Sequence, residues 1–323
     1  MAHYQVLNDG IVCIDTEQVR PQLAACYLIQ DGERYAFVES GTSLSLPPIL
    51  QVLSERGIAR EAVDYVMPTH VHLDHAGGAG ALIQALPNAK LVIHPRGARH
   101  MIDPSRLIAG ATAVYGAAFM RQMYGEIVPV PEERVIVADV GPERDFSLKL
   151  GDRELLFIDV PGHAKHHDAI WDAQSRGWFT GDTFGISYRD FDAPGQVPYM
   201  LPTTTPVDFD PPAWEHSLQR LLAKKPARMY LTHYGRVDAV GPLAADLRRG
   251  LADYQRMARE LADAPDRHDR LRARLLDYHV NQLRELGNSM SEARIRKLLA
   301  PDSEINAQGL EVWLDRQKRA GAR

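Results

Sequence analysis

The 323 residues are 45% apolar and 24% charged, enough for a substantial core in one large domain or two ordinary ones. Net charge is −5 and uneven: residues 237–323 hold 16 Lys and Arg against 14 Asp and Glu, which leaves the first 236 residues with seven excess acidic groups, a poor footprint for nucleic acid. No basic-then-apolar leader opens MAHYQVLNDG and no run reaches the ~18 apolar residues of a membrane span, so a cytoplasmic protein with no membrane partner is expected.

In chain order, IVCID and AACYLI are β-like, and their cysteines, Cys13 and Cys26, read as small core hydrophobes. CYLIQ and RYAFVES flank a hairpin turn at Asp31-Gly32-Glu33. LPPILQVLSERG fits a helix with prolines in its first turn, and VDYVMP a short buried strand. THVHLDHAGG therefore sits at a strand's C-terminal end, and AGGAG leads into a helix through Leu86. Such strand ends are where α/β sheets place chemistry.

After the strand KLVIHP, residues 96–124 show helical spacing; LIAGATAVYGAAFM within them is too short for a membrane and reads as a buried or lid helix. Strands resume at SLKL-GD-RELLFIDVPGH and DAIWDAQSRGWFTGD. Asp210-Pro211-Pro212 opens a helix whose apolar face is Trp214, Leu218, Leu221 and Leu222, and the strand ARMYLTH follows. Beyond about residue 237, Leu243, Leu247, Leu251, Tyr254 and Leu261 recur at helical spacing, and Ser289 with Glu292 has the pattern of a capping box. The expected organisation is a sheet-containing domain over residues 1–236, with a helical insertion at about 96–125, and a C-terminal helical cap over 237–323.

The run His70-x-His72-x-Asp74-His75 needs a physical reason. Imidazoles at i and i+2 of an extended segment point to one side, so His70 and His72 can grip one ion while Asp74 and His75 face a second. Divalent ions need further ligands, and three appear directly after apolar strands: His163 ends FIDVPGH, Asp182 ends WFTGD and His233 ends MYLTH.

In this order, H-x-H-x-D-H, PGH, GD and TH resemble the metallo-β-lactamase superfamily over residues 10–236. The resemblance implies an αββα sandwich with a C-terminal helical appendage. It also implies two divalent ions, zinc by default with Fe or Mn as alternatives: His70, His72 and His163 on the first, Asp74, His75 and His233 on the second, and Asp182 between them. His167 takes an orienting role; His166 reads as solvated, and His94, His100, His216, His268 and His279 as ordinary surface or helix histidines. Where many relatives carry Asp before the first helix, FVESGT has Glu39. Tyr188 and Tyr234 are candidates for holding an oxyanion.

The implied chemistry is hydrolysis by a hydroxide bridging two ions, with Asp74 orienting the water or moving a proton. The C-terminal helices resemble those of glyoxalase II and related thioesterases, which cover the metal cleft, although glyoxalase II's glutathione-binding basic residues are not at matching positions. A thioester or ester of a small organic acid is the expected substrate. A lactonase, a phosphodiesterase, or a metal-containing regulatory or ligand-sensing protein are the alternatives. A lid built from residues 96–124 and the helices after 237 would offer Met101, Phe119, Met120, Met123 and Tyr124 as apolar lining. A small molecule is the partner expected, and self-association into a homo-oligomer is left open.

Overall fold

The computed structural model describes residues 2–321; Met1, Ala322 and Arg323, at the outer ends of the two expected regions, lie outside the described residues. Seven strands lie side by side in chain order: β1 (Tyr4–Val6), β2 (Ile11–Asp15), β3 (Ala25–Asp31), β4 (Arg34–Val38), β5 (Val63–Met67), β6 (Lys90–Ile93) and β7 (Val135–Val137). The first four pair antiparallel and the last four parallel. Parallel pairing requires crossovers. They are α1 (Leu46–Glu55), then α2 (Leu73–Ala76) with α3 (Ala79–Ala85), then α4 (Pro95–Ile102), α5 (Ser105–Tyr115) and α6 (Ala117–Tyr124).

The second sheet contains β8 (Phe146–Leu150), β9 (Arg153–Asp159), β10 (Asp168–Asp172), β11 (Gly177–Gly181), β12 (Arg228–Leu231) and β13 (Gly235–Val237). Its order is β13-β12-β11-β10-β9-β8, antiparallel except between β11 and β12. Both sheets are therefore mixed. The hairpins pair Asp31 with Arg34 and Leu150 with Arg153, as the two turn signals predict.

Strand alternation decides what each residue buries. Ile11, Cys13, Tyr27 and Ile29 pack with Phe157, Ile170, Phe179 and Tyr230 in the core between the sheets. Val12, Ile14, Cys26 and Leu28 turn the other way, onto Ile49, Val52 and Leu53 of α1 and Leu82 and Ile83 of α3. Each large side chain so buried stabilises the fold by about 1.5–3 kcal/mol. Both cysteines are buried and neither forms a disulfide among the described residues, as their apolar settings suggest. Arg153 and Asp172 form a buried ion pair within the second sheet, Arg153 Nε donating to Asp172 Oδ1 at 2.9 Å, and the Arg153 Nη1 reaches across to carbonyls of the first sheet's β1–β2 turn and of β3, those of Asp9 (2.7 Å) and Gln30 (3.0 Å). The guanidinium is thus widely satisfied, the condition on which burying a charge is tolerable.

The chain divides into two compact units. The first comprises the residues up to Asp159, His166–Gly181 and Lys224–Asp238, and holds both sheets and α1 to α6. The second takes Val160–Lys165, Asp182–Ala223 and the chain from Ala239 on. It contains α7 (Pro211–Ala223), α8 (Val240–Glu260), α9 (Arg267–Glu285) and α10 (Glu292–Gly321). Asp210 caps α7, its Oδ1 accepting from Ala213 N at 3.1 Å, and Trp214, Leu218 and Leu221 are its buried face. No helix among the described residues is long and apolar enough to cross a membrane.

Three local expectations are corrected. Residues 107–120, expected as one buried or lid helix, belong to two, α5 and α6, which break at Gly116 (φ +82°), and Phe119 is exposed. A stretch rich in Ala and Gly has little bulk to anchor it. Met101 packs in the core beneath the first sheet. The cap of α10 is Ser291, whose Oγ accepts from Arg294 N at 3.4 Å; Glu292 is already helical, so a cap at Ser289 would lie a further two residues out.

Candidate metal centre

The ligand run follows β5 in extended backbone as far as His72 (φ −62°, ψ 147°), after which α2 begins. Within that stretch His70 and His72 share a side, and His70 Nε2 lies 2.7 Å from His72 Nδ1. The first turn of α2 brings Asp74 and His75 round to His233, which follows β12, and these three offer donor atoms within 4.8 Å of one another. Asp74 Oδ2 is 3.3 Å from His233 Nε2 and 3.7 Å from His75 Nε2. In the second unit His163 and Asp182 meet, with Nε2 3.2 Å from Oδ2. All of these except His72 and Asp74 are buried, and Asp74, at 30% exposure, reaches solvent.

Outer hydrogen bonds decide which nitrogen each ring presents. A carbonyl oxygen only accepts, so the ring nitrogen facing it carries the proton. His233 Nδ1 donates to the Leu23 carbonyl at 2.7 Å and His163 Nδ1 to that of Thr203 at 3.0 Å. His75 Nδ1 donates to Glu39 Oε1 at 3.0 Å. In all three, Nε2 is left facing a carboxylate oxygen, the arrangement that metal-ligating histidines use. Thr69 Oγ1 donates to Glu39 Oε1 at 2.6 Å and so accepts from His70 Nδ1 at 3.1 Å. Bare imidazole nitrogens beside carboxylate oxygens fit a divalent transition metal: within the first unit Asp74, His75 and His233 form one such set, with His70 and His72 close together beside it in sequence, and within the second unit His163 and Asp182 form a pair.

Glu39 does more than its place in FVESGT reveals. Besides Thr69 Oγ1 and His75, its carboxylate accepts from Thr69 N (3.2 Å) and Thr232 Oγ1 (2.9 Å), and the residue is 1% exposed. One buried carboxylate thus backs His75 directly and His70 through Thr69. His167 is buried and stacks on His70, with ring centroids 4.5 Å apart at 16°. Gly181, φ +49°, lets these groups close up: a Cβ there would lie 2.3 Å from Thr69 Oγ1 and 2.6 Å from His167 Nε2.

His166, read as solvated, is half-buried with its ring 5.6 Å from that of His72; a second histidine in HH carries no spacing signal that would have found it. His94 is not a surface histidine: it is buried, caps α4 by accepting from Arg96 N at 3.1 Å, and places Nε2 3.2 Å from Asp159 Oδ1. His279 lies on α9 but is buried between Tyr199 OH (2.7 Å) and Tyr254 OH (2.6 Å), and burial lowers its pKa to about 3. Tyr188 is buried with its hydroxyl donating to Asp302 Oδ1 at 2.8 Å, and Tyr234 lies in the core between the sheets. Asp168 carried no sequence signal. It is fully buried with neither oxygen hydrogen-bonded among the described residues, and burial, then the charges of Glu39 and Asp159, push its carboxyl well above the usual range.

Two mixed sheets, helices and strand-end His and Asp residues define an α/β class whose clusters could hold a metal ion. Residues 19–233 match the profile of the metallo-β-lactamase superfamily, and the chain belongs to that family. It is similar to the metallo-β-lactamase fold-containing protein ST1585 of Sulfurisphaera tokodaii, 25% identical over 222 residues that cover 68% of this chain and 75% of that one. The solved structure of ST1585 aligns over 94% of this chain and 99% of its own, with a TM-score of 0.63 at 21% identity. The metallo-β-lactamase family protein TTHA1429 of Thermus thermophilus aligns over 98% and 95%, with a TM-score of 0.63 at 19% identity. The metal-soaked Flv1 flavodiiron core from Synechocystis aligns over 80% and 62%, with a TM-score of 0.54 at 16% identity. The fold is therefore the α/β fold of this family with C-terminal helices, and members are for the most part metal-dependent hydrolases.

Proposed function

We propose that the protein is a hydrolase of a small activated acyl compound, a thioester or ester, working with two divalent ions, zinc by default. The observation that carries the reading is the common orientation of His75, His163 and His233, each held at Nδ1 with Nε2 facing Asp74 or Asp182. In this reading, which follows the motif resemblance, His70, His72 and His163 would hold one ion, Asp74, His75 and His233 the other, and Asp182 would serve both. Bound ions would supply Lewis acidity, bringing the pKa of water towards ~7 and polarising the acyl oxygen.

The residues do the rest. Glu39 and the carbonyls of Leu23 and Thr203 keep the rings in one tautomer, so no reorganisation is needed when charge develops. Asp74, the solvent-reaching carboxylate, takes the proton of the attacking water on its outer oxygen and passes it towards the leaving group. A thiolate, with a conjugate acid pKa near ~8.5, needs little of that help, whereas an amide nitrogen needs a full proton. In the first unit a cavity of about 390 Å³, bounded by Val19, Leu44, Pro48 and Met123 with Glu17 and Gln122, offers room for a small organic group. The seven excess acidic groups of residues 1–236 disfavour polyanions.

The test is a metal-replete assay against matched thioester, ester, lactone, β-lactam and phosphodiester panels, with elemental analysis on the same preparation. About two ions per chain are expected, with thioester or ester turnover highest and lost in Asp74→Asn and His163→Ala. Phosphodiester turnover exceeding every acyl substrate by orders of magnitude, or variants equal to wild type, overturns the reading.

A further inference from the structure

His163 is gripped at two points by one loop. Its Nδ1 donates to the Thr203 carbonyl at 3.0 Å, and its own carbonyl accepts from Thr205 Oγ1 at 2.8 Å. Between them Thr204, fully buried, faces the C-terminal helix. Thr204 N donates to Asn306 Oδ1 at 2.6 Å, and Thr204 Oγ1 to the Asn306 carbonyl at 3.2 Å. Asn306 Nδ2 donates in turn to the Pro202 carbonyl and to Tyr254 OH of α8, both at 3.3 Å. The asparagine is 1% exposed, so these bonds are made away from water, where leaving one unmade is costly.

One turn along α10, Gly309 sets how closely the helix approaches. A Cβ there would lie 2.3 Å from Thr204 Oγ1 and 2.8 Å from the Thr205 carbonyl, so any side chain would push residues 204 and 205 away. Two residues on a helix more than 140 positions along the chain therefore fix the backbone whose carbonyl selects the tautomer and plane of His163. Every contact in this relay lies within the second unit.

We infer that Asn306 and Gly309 of α10 are positioning residues for His163, and that the C-terminal helices set metal affinity at that histidine rather than serving only as a cover. The inference rests on the reading of His163 as a ligand. A metal ligand whose ring is held by an outer acceptor typically loses 10–100-fold in affinity when that acceptor is disturbed. Asn306→Ala removes the acceptor of Thr204 N, and Gly309→Ala moves the same loop without removing any hydrogen-bonding group.

The experiment is Zn²⁺ affinity by chelator competition on the full chain, paired with the visible absorption of the Co²⁺-substituted protein. The variants are His163→Ala, Asn306→Ala, Gly309→Ala, the double variant His163→Ala/Asn306→Ala, and Leu275→Ala, a buried α9 residue outside the relay, as a destabilised control. The binding step that His163→Ala abolishes should weaken about 10–100-fold in Asn306→Ala and Gly309→Ala, with an altered Co²⁺ band. It should stay unchanged in Leu275→Ala, and the double variant should bind no worse than His163→Ala. Circular dichroism identifies a variant that fails to fold, and Gly309→Ala then carries the comparison alone. If His163→Ala binds like wild type, the ligand reading fails. If His163→Ala weakens binding while Asn306→Ala and Gly309→Ala match Leu275→Ala, the ligand reading stands and the positioning inference is overturned.

Discussion

Replacing Glu39 by Gln tests whether one buried carboxylate organises the ligand run. Oε1 accepts from Thr69 Oγ1, Thr232 Oγ1 and His75 Nδ1, and Oε2 from Thr69 N. Glutamine with its carbonyl at the Oε1 position keeps three of these four bonds, at neutral rather than charged strength, and sets an NH₂ against the Thr69 N–H. A buried hydrogen bond to a charged group contributes about 1.5–3 kcal/mol, so the lost bond and the opposed donors together cost about 2–4 kcal/mol. Glu39→Ala would remove both acceptor oxygens and with them all four bonds, approaching the whole ~5–15 kcal/mol stability of a domain, which makes Gln the informative change. At the metal, His75 loses its anionic partner and Thr69 its hold on His70, for which a 10–100-fold loss of affinity is expected. Thermal unfolding of the chelated protein and Zn²⁺ titration check the two arms separately. A Glu39→Gln protein with wild-type melting temperature and metal affinity within twofold of wild type would refute the reasoning.

Two pH effects follow from buried groups. Asp168 has its pKa raised by burial first, and then by Glu39 and Asp159; the native state therefore holds a proton that the unfolded chain releases above ~4, and stability is lost as pH rises from there towards the folded value. Asp168→Asn should raise the melting temperature more at pH 8 than at pH 5, and an equal shift at both would contradict the assignment. His279 is held neutral down to about 3 against ~6.5 when unfolded, so its contribution is full above pH ~6.5 and declines as pH falls towards 3, by up to ~1.4 kcal/mol per unit. His279→Gln should flatten that acid limb in a series of denaturant unfolding curves, and an unchanged slope would count against a neutral buried imidazole.

Where the sequence was readable, the reason was local. The donors follow apolar strands, as with His163 after β9 and His233 after β12, so a polar residue at the end of a hydrophobic run marks where a strand ends. Hairpins at Gly151-Asp152 and the proline-started helices α1 and α7 obey equally short-range rules. The αββ core follows from period-two alternation, which needs no knowledge of partners. The partners themselves are what no local rule supplies. Asp168 gives no signal because its neighbours Glu39 and Asp159 arrive from other strands, and Ser291 rather than Ser289 caps α10 because the helix start, not the pattern, decides the cap.

The same distinction separates ligand identity from ligand orientation. Of the groups that orient the imidazoles, two are main-chain carbonyls, Leu23 for His233 and Thr203 for His163, and a carbonyl is present at every residue of any sequence. What makes these two act is the backbone that aims them: a loop whose ends are pinned as Asp15 accepts from the amides of Glu17 and Gln22, and a segment seated on Asn306. Motifs therefore predict which residues could bind an ion, while in the proposed reading tautomer and affinity depend on groups far along the chain, Leu23 lying 210 positions before His233 and Asn306 143 positions after His163. Substitutions in residues 16–24 or in α10 should accordingly change metal binding without touching a ligand, and relatives that share the histidine run need share neither segment.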